Sequence, residues 1–170
     1  MRIACMSVVL LINLIFQPTL FRYIEIIGIG PNTAVIIIVC YAMLRGDTEG
    51  AVFGFFSGLL QDIVFGRIIG LYAMLGLLTG YFFGKPFKDF YRESYLLPVF
   101  LVSTAVITYE FCFYLLTFLF LGHVDLLFYF WRIMLPTMVY STLLAIPVYR
   151  LIYIINKGVE NYEHKKRKLF

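Results

Sequence analysis

The chain has 170 residues, of which 62% are hydrophobic and only 14% charged, with a mean hydropathy of +0.90 and a net charge of +4. Soluble domains average roughly 45–50% apolar and about 25% charged. A soluble fold of this size has too little interior to hide so much apolar surface, so the composition excludes an ordinary soluble domain and points to an integral membrane protein, whose outside can be apolar too. Cys5, Cys40 and Cys112 each fall within apolar runs and lack metal-type spacing. They read as small apolar residues, not as a disulfide framework or a zinc site.

A helix rises about 1.5 Å per residue, so a hydrocarbon core about 30 Å thick takes about 20 residues. Six stretches come close. The first, 3–21, is interrupted late by Pro18. It lacks a small-x-small cleavage pattern and runs the length of a span, so it reads as a retained helix, not a signal peptide. The second, 24–44, opens with Gly28, Gly30 and Pro31. Its regular helix is expected to begin near Pro31, at a favoured first-turn position, which leaves it short. The third and fourth, 50–65 and 68–84, are separated only by Gly66 and Arg67 and predict a tight helical hairpin. The fifth, 95–121, is long enough to tilt. The sixth, 131–155, contains Pro136 and Pro147, expected to kink it or bound a shorter helix. The expected fold is all-α: one six-helix transmembrane domain over 1–155, with a basic tail over 156–170.

Lys and Arg in the short loops orient the bundle. With both termini cytoplasmic, the inner segments hold Arg2, Arg45, Lys85, Lys88, Arg92, Arg150, Lys157, Lys165, Lys166, Arg167 and Lys168, and the outer ones Arg22, Arg67 and Arg132. The bias holds loop by loop. Trp131, Tyr129, Tyr23, Tyr95 and Tyr153 stand near span ends, where interfacial aromatics belong. The basic run at the C terminus serves as a topology signal, as a docking site for a cytoplasmic protein, or as a patch drawn to anionic lipid. No nucleic-acid partner is expected.

Glycine recurs every fourth residue at Gly46, Gly50, Gly54 and Gly58; the series continues through Asp62 to Gly66 and Gly70, and repeats at Gly76, Gly80 and Gly84. Such a stripe lets helices approach backbone to backbone, a main source of helix association in lipid. Gly50, Gly54, Gly58, Asp62, Gly66 and Gly70 therefore mark a packing face or a partner face. Asp62, with Gln61 beside it, is expected to face protein or water. It either accepts hydrogen bonds from a neighbouring helix or turn, contacts a partner, or serves a ligand or proton. Glu110, near the middle of the fifth stretch, needs a partner or a proton. Arg132 is one candidate partner, and a neutral, hydrogen-bonded Glu110 is the default reading. His123 and His164 fall in a loop and the tail. The chain has no HExxH, no CDP-alcohol transferase acid cluster, no G-x-S-x-G and no P-loop, so no catalytic residue, metal or cofactor is expected and the chain reads as a non-enzyme.

The run Tyr41-Ala42-Met43-Leu44-Arg45-Gly46, then Gly50, Gly54-Phe55-Phe56-Ser57-Gly58-Leu59-Leu60-Gln61-Asp62, Gly70 and Gly80-Tyr81, resembles the central motif of the rod shape-determining protein MreD family. Pro136-Thr137-Met138-Val139-Tyr140-Ser141, with Leu143-Leu144 and Pro147, is similar to the family's final span, with Ser141 where an asparagine is often found. The resemblance implies a scaffold of the bacterial cell-elongation machinery in the cytoplasmic membrane. Its implied partners are a bitopic MreC-like protein, an MreB-like actin homologue, and the glycosyltransferase and transpeptidase that build lateral peptidoglycan. It also implies a fold similar to the six-helix substrate-binding subunits of energy-coupling-factor transporters. A vitamin-binding subunit of that kind is the rival reading, although the first stretch lacks the small-residue stripe such a subunit uses for coupling. The orientation is checked by reporter fusions: alkaline phosphatase is expected to be active when fused at Arg67 and inactive at residue 170.

Overall fold

A computed structural model describes residues 8–15, 30–66, 68–85, 96–121 and 125–167, and every regular element among them is helical. We label them α1 (8–15), α2 (Thr33–Arg45), α3 (Asp47–Phe65), α4 (Leu71–Gly84), α5 (Leu96–Leu121), α6 (Leu126–Tyr129) and α7 (Leu135–Arg167), with a π-helical turn, Phe130–Met134, joining the last two. Arg2, Cys5, Pro18, Arg22, Tyr23, Arg67, Lys88, Arg92, Tyr95, His123 and Lys168 lie outside the described residues.

α2 is the centre of the molecule. Thr33 through Met43 are all buried, and α3, α4, α5 and α7 all pack on it. A helix apolar on every side belongs in an interior. It is short, as its glycine- and proline-rich start predicted, but Pro31 does not take the first-turn position. Asn32 is the N-cap, and its side chain accepts a hydrogen bond from the Val35 amide at 3.3 Å. An asparagine oxygen can satisfy an otherwise unpaired first-turn amide, so the helix starts after Asn32 and Pro31 precedes the cap.

α2 turns into α3 at Gly46, whose φ of +100° places it in the left-handed region that glycine enters without Cβ strain. α3 and α4 then form the predicted hairpin, packed through glycine. A Cβ built on Gly54 would fall on the Gly76 carbonyl, and one on Gly80 on the Gly50 carbonyl. One on Gly58 would fall on the Tyr72 carbonyl, and one on Gly84 would come within 2.7 Å of the Asp47 backbone. The two backbones touch for the length of the hairpin. Thus the stripe at Gly50, Gly54 and Gly58 is covered from within the chain and is a packing face. Gly66 and Gly70 leave that face because the helix ends first. Gly66 caps α3, and Gly70, at φ +94° with nothing within 4 Å of a built Cβ, opens α4.

The C-terminal helix departs from expectation. Continuous helical backbone begins at Leu126 and runs past residue 155 to Arg167. Pro147 lies inside α7 without ending it. Pro136 follows the π turn, in which the Leu135 amide reaches back to the Phe130 carbonyl. That wider turn re-registers the backbone just where a proline lacks a donor.

The outside of the described bundle is apolar. Ile69 is 89% exposed, Ile63 74% and Leu127 73%, whereas Asp62, Ser141 and Thr33 are buried. Helices Leu97–Phe118 and Leu126–Gly158 are long and apolar enough to cross a bilayer, and α2 and α4 are apolar but shorter. An apolar exterior over buried polar groups suits lipid as solvent.

The glycine contact predicts opposite signs at two positions. Gly54→Ala puts a methyl into the Gly76 backbone and should cost about 1–3 kcal/mol. Gly158→Ala, with nothing within 4 Å, should stabilise the helix by up to about 1 kcal/mol. Thermal unfolding of the purified protein in detergent should show Tm falling for the first and holding or rising for the second.

Candidate functional site

Two buried acids organise the interior. Asp62 lies in the last turn of α3 and is 3% exposed. Its Oδ1 accepts from the Tyr72 amide at 3.1 Å and its Oδ2 from the Ala73 amide at 2.9 Å. These are second- and third-residue amides of α4, two of the four N-terminal donors that a helix leaves without an intrahelical partner. Gly70, the formal N-cap, has no side chain to serve them. Asp62 therefore caps α4 from the neighbouring helix, placing negative charge where the helix dipole is positive. The Asp62 carbonyl also accepts from Gly66 at 3.0 Å, ending α3. Of the readings open to Asp62, the structure displays the one in which it holds the hairpin turn. Gln61 is buried beside it.

Glu110, on α5, is the second. Its Oε1 accepts from Asn32 Nδ2 at 3.1 Å and its Oε2 from the Tyr129 hydroxyl at 3.0 Å. The Asn32 amide donates to Ser141 Oγ at 3.0 Å. Ser141, Asn32, Glu110 and Tyr129 thus form one chain of hydrogen bonds through four elements: α7, the start of α2, α5 and α6. The proposed partner Arg132 does not take part. Its guanidinium lies over the Phe128 ring, 5.7 Å from the centroid, because the π turn aims position 132 away from Glu110 while Tyr129 turns toward it.

The π turn also explains how one helix supplies both ends of the chain. Twelve residues separate Tyr129 from Ser141, which on an ideal helix puts them about 120° apart. A π turn absorbs one extra residue, and the two then share a face within about 20°. They are still about 18 Å apart along the axis, and Asn32 and Glu110 fill that gap. A second link, Ser103 Oγ to Thr142 Oγ1 at 2.9 Å, ties α5 to α7 nearby.

Asp62 and Glu110 were legible as isolated acids in apolar helices. In the sequence Tyr129 carries only the signal of an interfacial aromatic, whereas Asn32, an asparagine just before an apolar run, carries an N-cap signal. Nothing in one sequence pairs Ser141 with the start of α2. Of the cytoplasmic basic residues, Lys85 sits with Nζ 4.1 Å from the Tyr81 ring centroid, and Lys165, Lys166 and Arg167 are on the final turns of α7. Among the described residues, no group of three His, Cys, Asp or Glu side chains could hold a metal ion.

The described residues are all-helical, apolar outside and tied inside by close backbone packing and buried polar bonds, an arrangement that fits the helical class of membrane proteins. Residues 1–158 match the family described as rod shape-determining protein MreD, and the chain belongs to that family of membrane proteins. Its role is accordingly in determining rod shape. No curated protein and no solved structure matches the chain, so the expected likeness to energy-coupling-factor subunits, and the vitamin-transport reading with it, gains no support.

A double-mutant cycle tests the polar chain. Tyr129→Phe and Glu110→Gln should each lower stability, with a coupling of about 0.6–1.7 kcal/mol, the range for buried hydrogen bonds between membrane helices. Additive losses in thermal unfolding would show that the pair does not interact.

Proposed function

We propose that the chain is a non-enzymatic, multi-pass scaffold of the cell-elongation complex in the bacterial cytoplasmic membrane, with both termini inside. In this reading it links an MreC-like bitopic protein to the lateral peptidoglycan glycosyltransferase and transpeptidase, and through them to an MreB-like filament. The observation that carries the reading is the family match over nearly the whole chain. The interior supports it. Asp62 gives both carboxylate oxygens to the amides of α4, and Glu110 gives both of its own to Asn32 and Tyr129. The two acids are occupied in holding helices together. Six apolar stretches with an inward bias of basic loops support this topology.

The glycine face is filled by the chain itself, so partners of this scaffold meet it elsewhere, on outward surfaces of the bundle or at the cytoplasmic ends. Asp62 then acts on partners only through the hairpin it holds. Depleting the protein should make rods swell and round up while solute uptake stays normal; rods that keep their shape after clean depletion would overturn the reading. Asp62→Asn should still insert, because one oxygen remains to cap α4, but should reduce co-purification of the MreC-like partner several-fold.

A further inference from the structure

α7 does not stop where its apolar stretch does. Its 33 residues span about 50 Å, against a hydrocarbon core of about 30 Å. Between Asn156 and Arg167 the only bulky apolar residues are Val159 and Tyr162. The segment nevertheless stays helical, and its spacing explains why. Glu160 and Glu163 precede His164 and Arg167 by four residues, the favoured acid-first order. The basic residues gather at the C-terminal turn, where the helix dipole favours cations. Residues 156–170 hold five Lys and Arg against two Glu, and so carry most of the chain's net charge of +4.

We propose that this helical arm docks an acidic surface of a cytoplasmic protein. The inference rests on the cytoplasmic placement of the C terminus in the proposed topology. Two observations weigh against anionic lipid as the occupant. A helix lying in the interface needs an apolar face, and Val159 and Tyr162 alone do not make one. A helix that continues the axis of the last span also carries positions 164–167 about 14–18 Å beyond residue 155. The headgroup layer is only about 6 Å deep on each side, and the Debye length at physiological ionic strength is about 8 Å. At that distance attraction to the membrane surface is largely screened. Helical steps of about 100° distribute Lys165, Lys166 and Arg167 around the axis rather than along one stripe. Such an end captures an acidic partner by its field instead of by a shaped groove.

The test uses the full-length protein in native membranes, with p-benzoylphenylalanine in place of Tyr162. Irradiation should crosslink the arm to a protein, and mass spectrometry should place the adduct on a peptide rich in Asp and Glu. The yield should fall several-fold in 0.5 M salt, where the Debye length is about half its physiological value. It should fall similarly when Lys165, Lys166, Arg167 and Lys168 are all changed to Gln, and persist with Lys165→Arg, Lys166→Arg and Lys168→Arg. A phospholipid adduct, a yield indifferent to salt and charge, or no adduct would each overturn the proposal. Cell shape under depletion is read separately: unchanged rods with a salt-sensitive acidic adduct would sink the scaffold reading and leave the docking arm standing.

Discussion

The contact between the α3 and α4 backbones governs the rest of the fold. At Gly54 and Gly76, and again at Gly50 and Gly80, no side chain separates the two helices. In lipid, helices gain little from burying apolar surface against one another, so association depends on dispersion and polar contact at short range. Glycine supplies the first by removing the spacer. Asp62 supplies the second at the turn, where two α4 amides would otherwise sit buried without acceptors. Close packing and capping therefore reinforce each other. The carboxylate reaches α4 because the helices are this close, and the cap fixes the register in which glycine meets glycine.

The other half of the molecule is held by a different device. α2, α5 and the C-terminal rod meet through larger apolar side chains, with Val35, Ile36, Val39, Val102 and Val106 fully buried. Apolar packing of this kind is tolerant of rotation about a helix axis. The hydrogen-bonded chain from Ser141 through Asn32 and Glu110 to Tyr129 is not, since each member must point at the next. It fixes the rotation of three helices at once. The π turn at Phe130–Met134 lets one rod meet both ends of that chain. In this interior the glycine face, Asp62 and Glu110 are all engaged by other parts of the same chain.

How much of this could be read beforehand differs by feature. The hairpin, the short second helix and the membrane class follow from local signals: glycine at every fourth position, Gly28 to Pro31, and the apolar content. Asp62 and Glu110 stood out because an ionisable group in an apolar helix is costly and needs a reason. Their partners did not stand out. Arg132 was plausible for Glu110 on charge alone, but a single inserted residue in the π turn redirects position 132, and no residue type announces that insertion. Gly66 and Gly70 fitted the spacing of the packing stripe, yet the helix ends before them, and they serve the turn instead.

The sequence by itself determined the membrane class, the helical hairpin and the sites of tension. Those depend on composition, on spacing along one helix and on charge between helices, all of which are properties of neighbouring residues. Only the tertiary structure decided that the glycine stripe closes on α4 of its own chain, that Asp62 caps that helix, and that Glu110 joins Asn32 and Tyr129. Each of these depends on the distance and rotation between helices far apart in the chain. In a bilayer, where apolar faces are nearly interchangeable, periodicity alone does not encode those quantities.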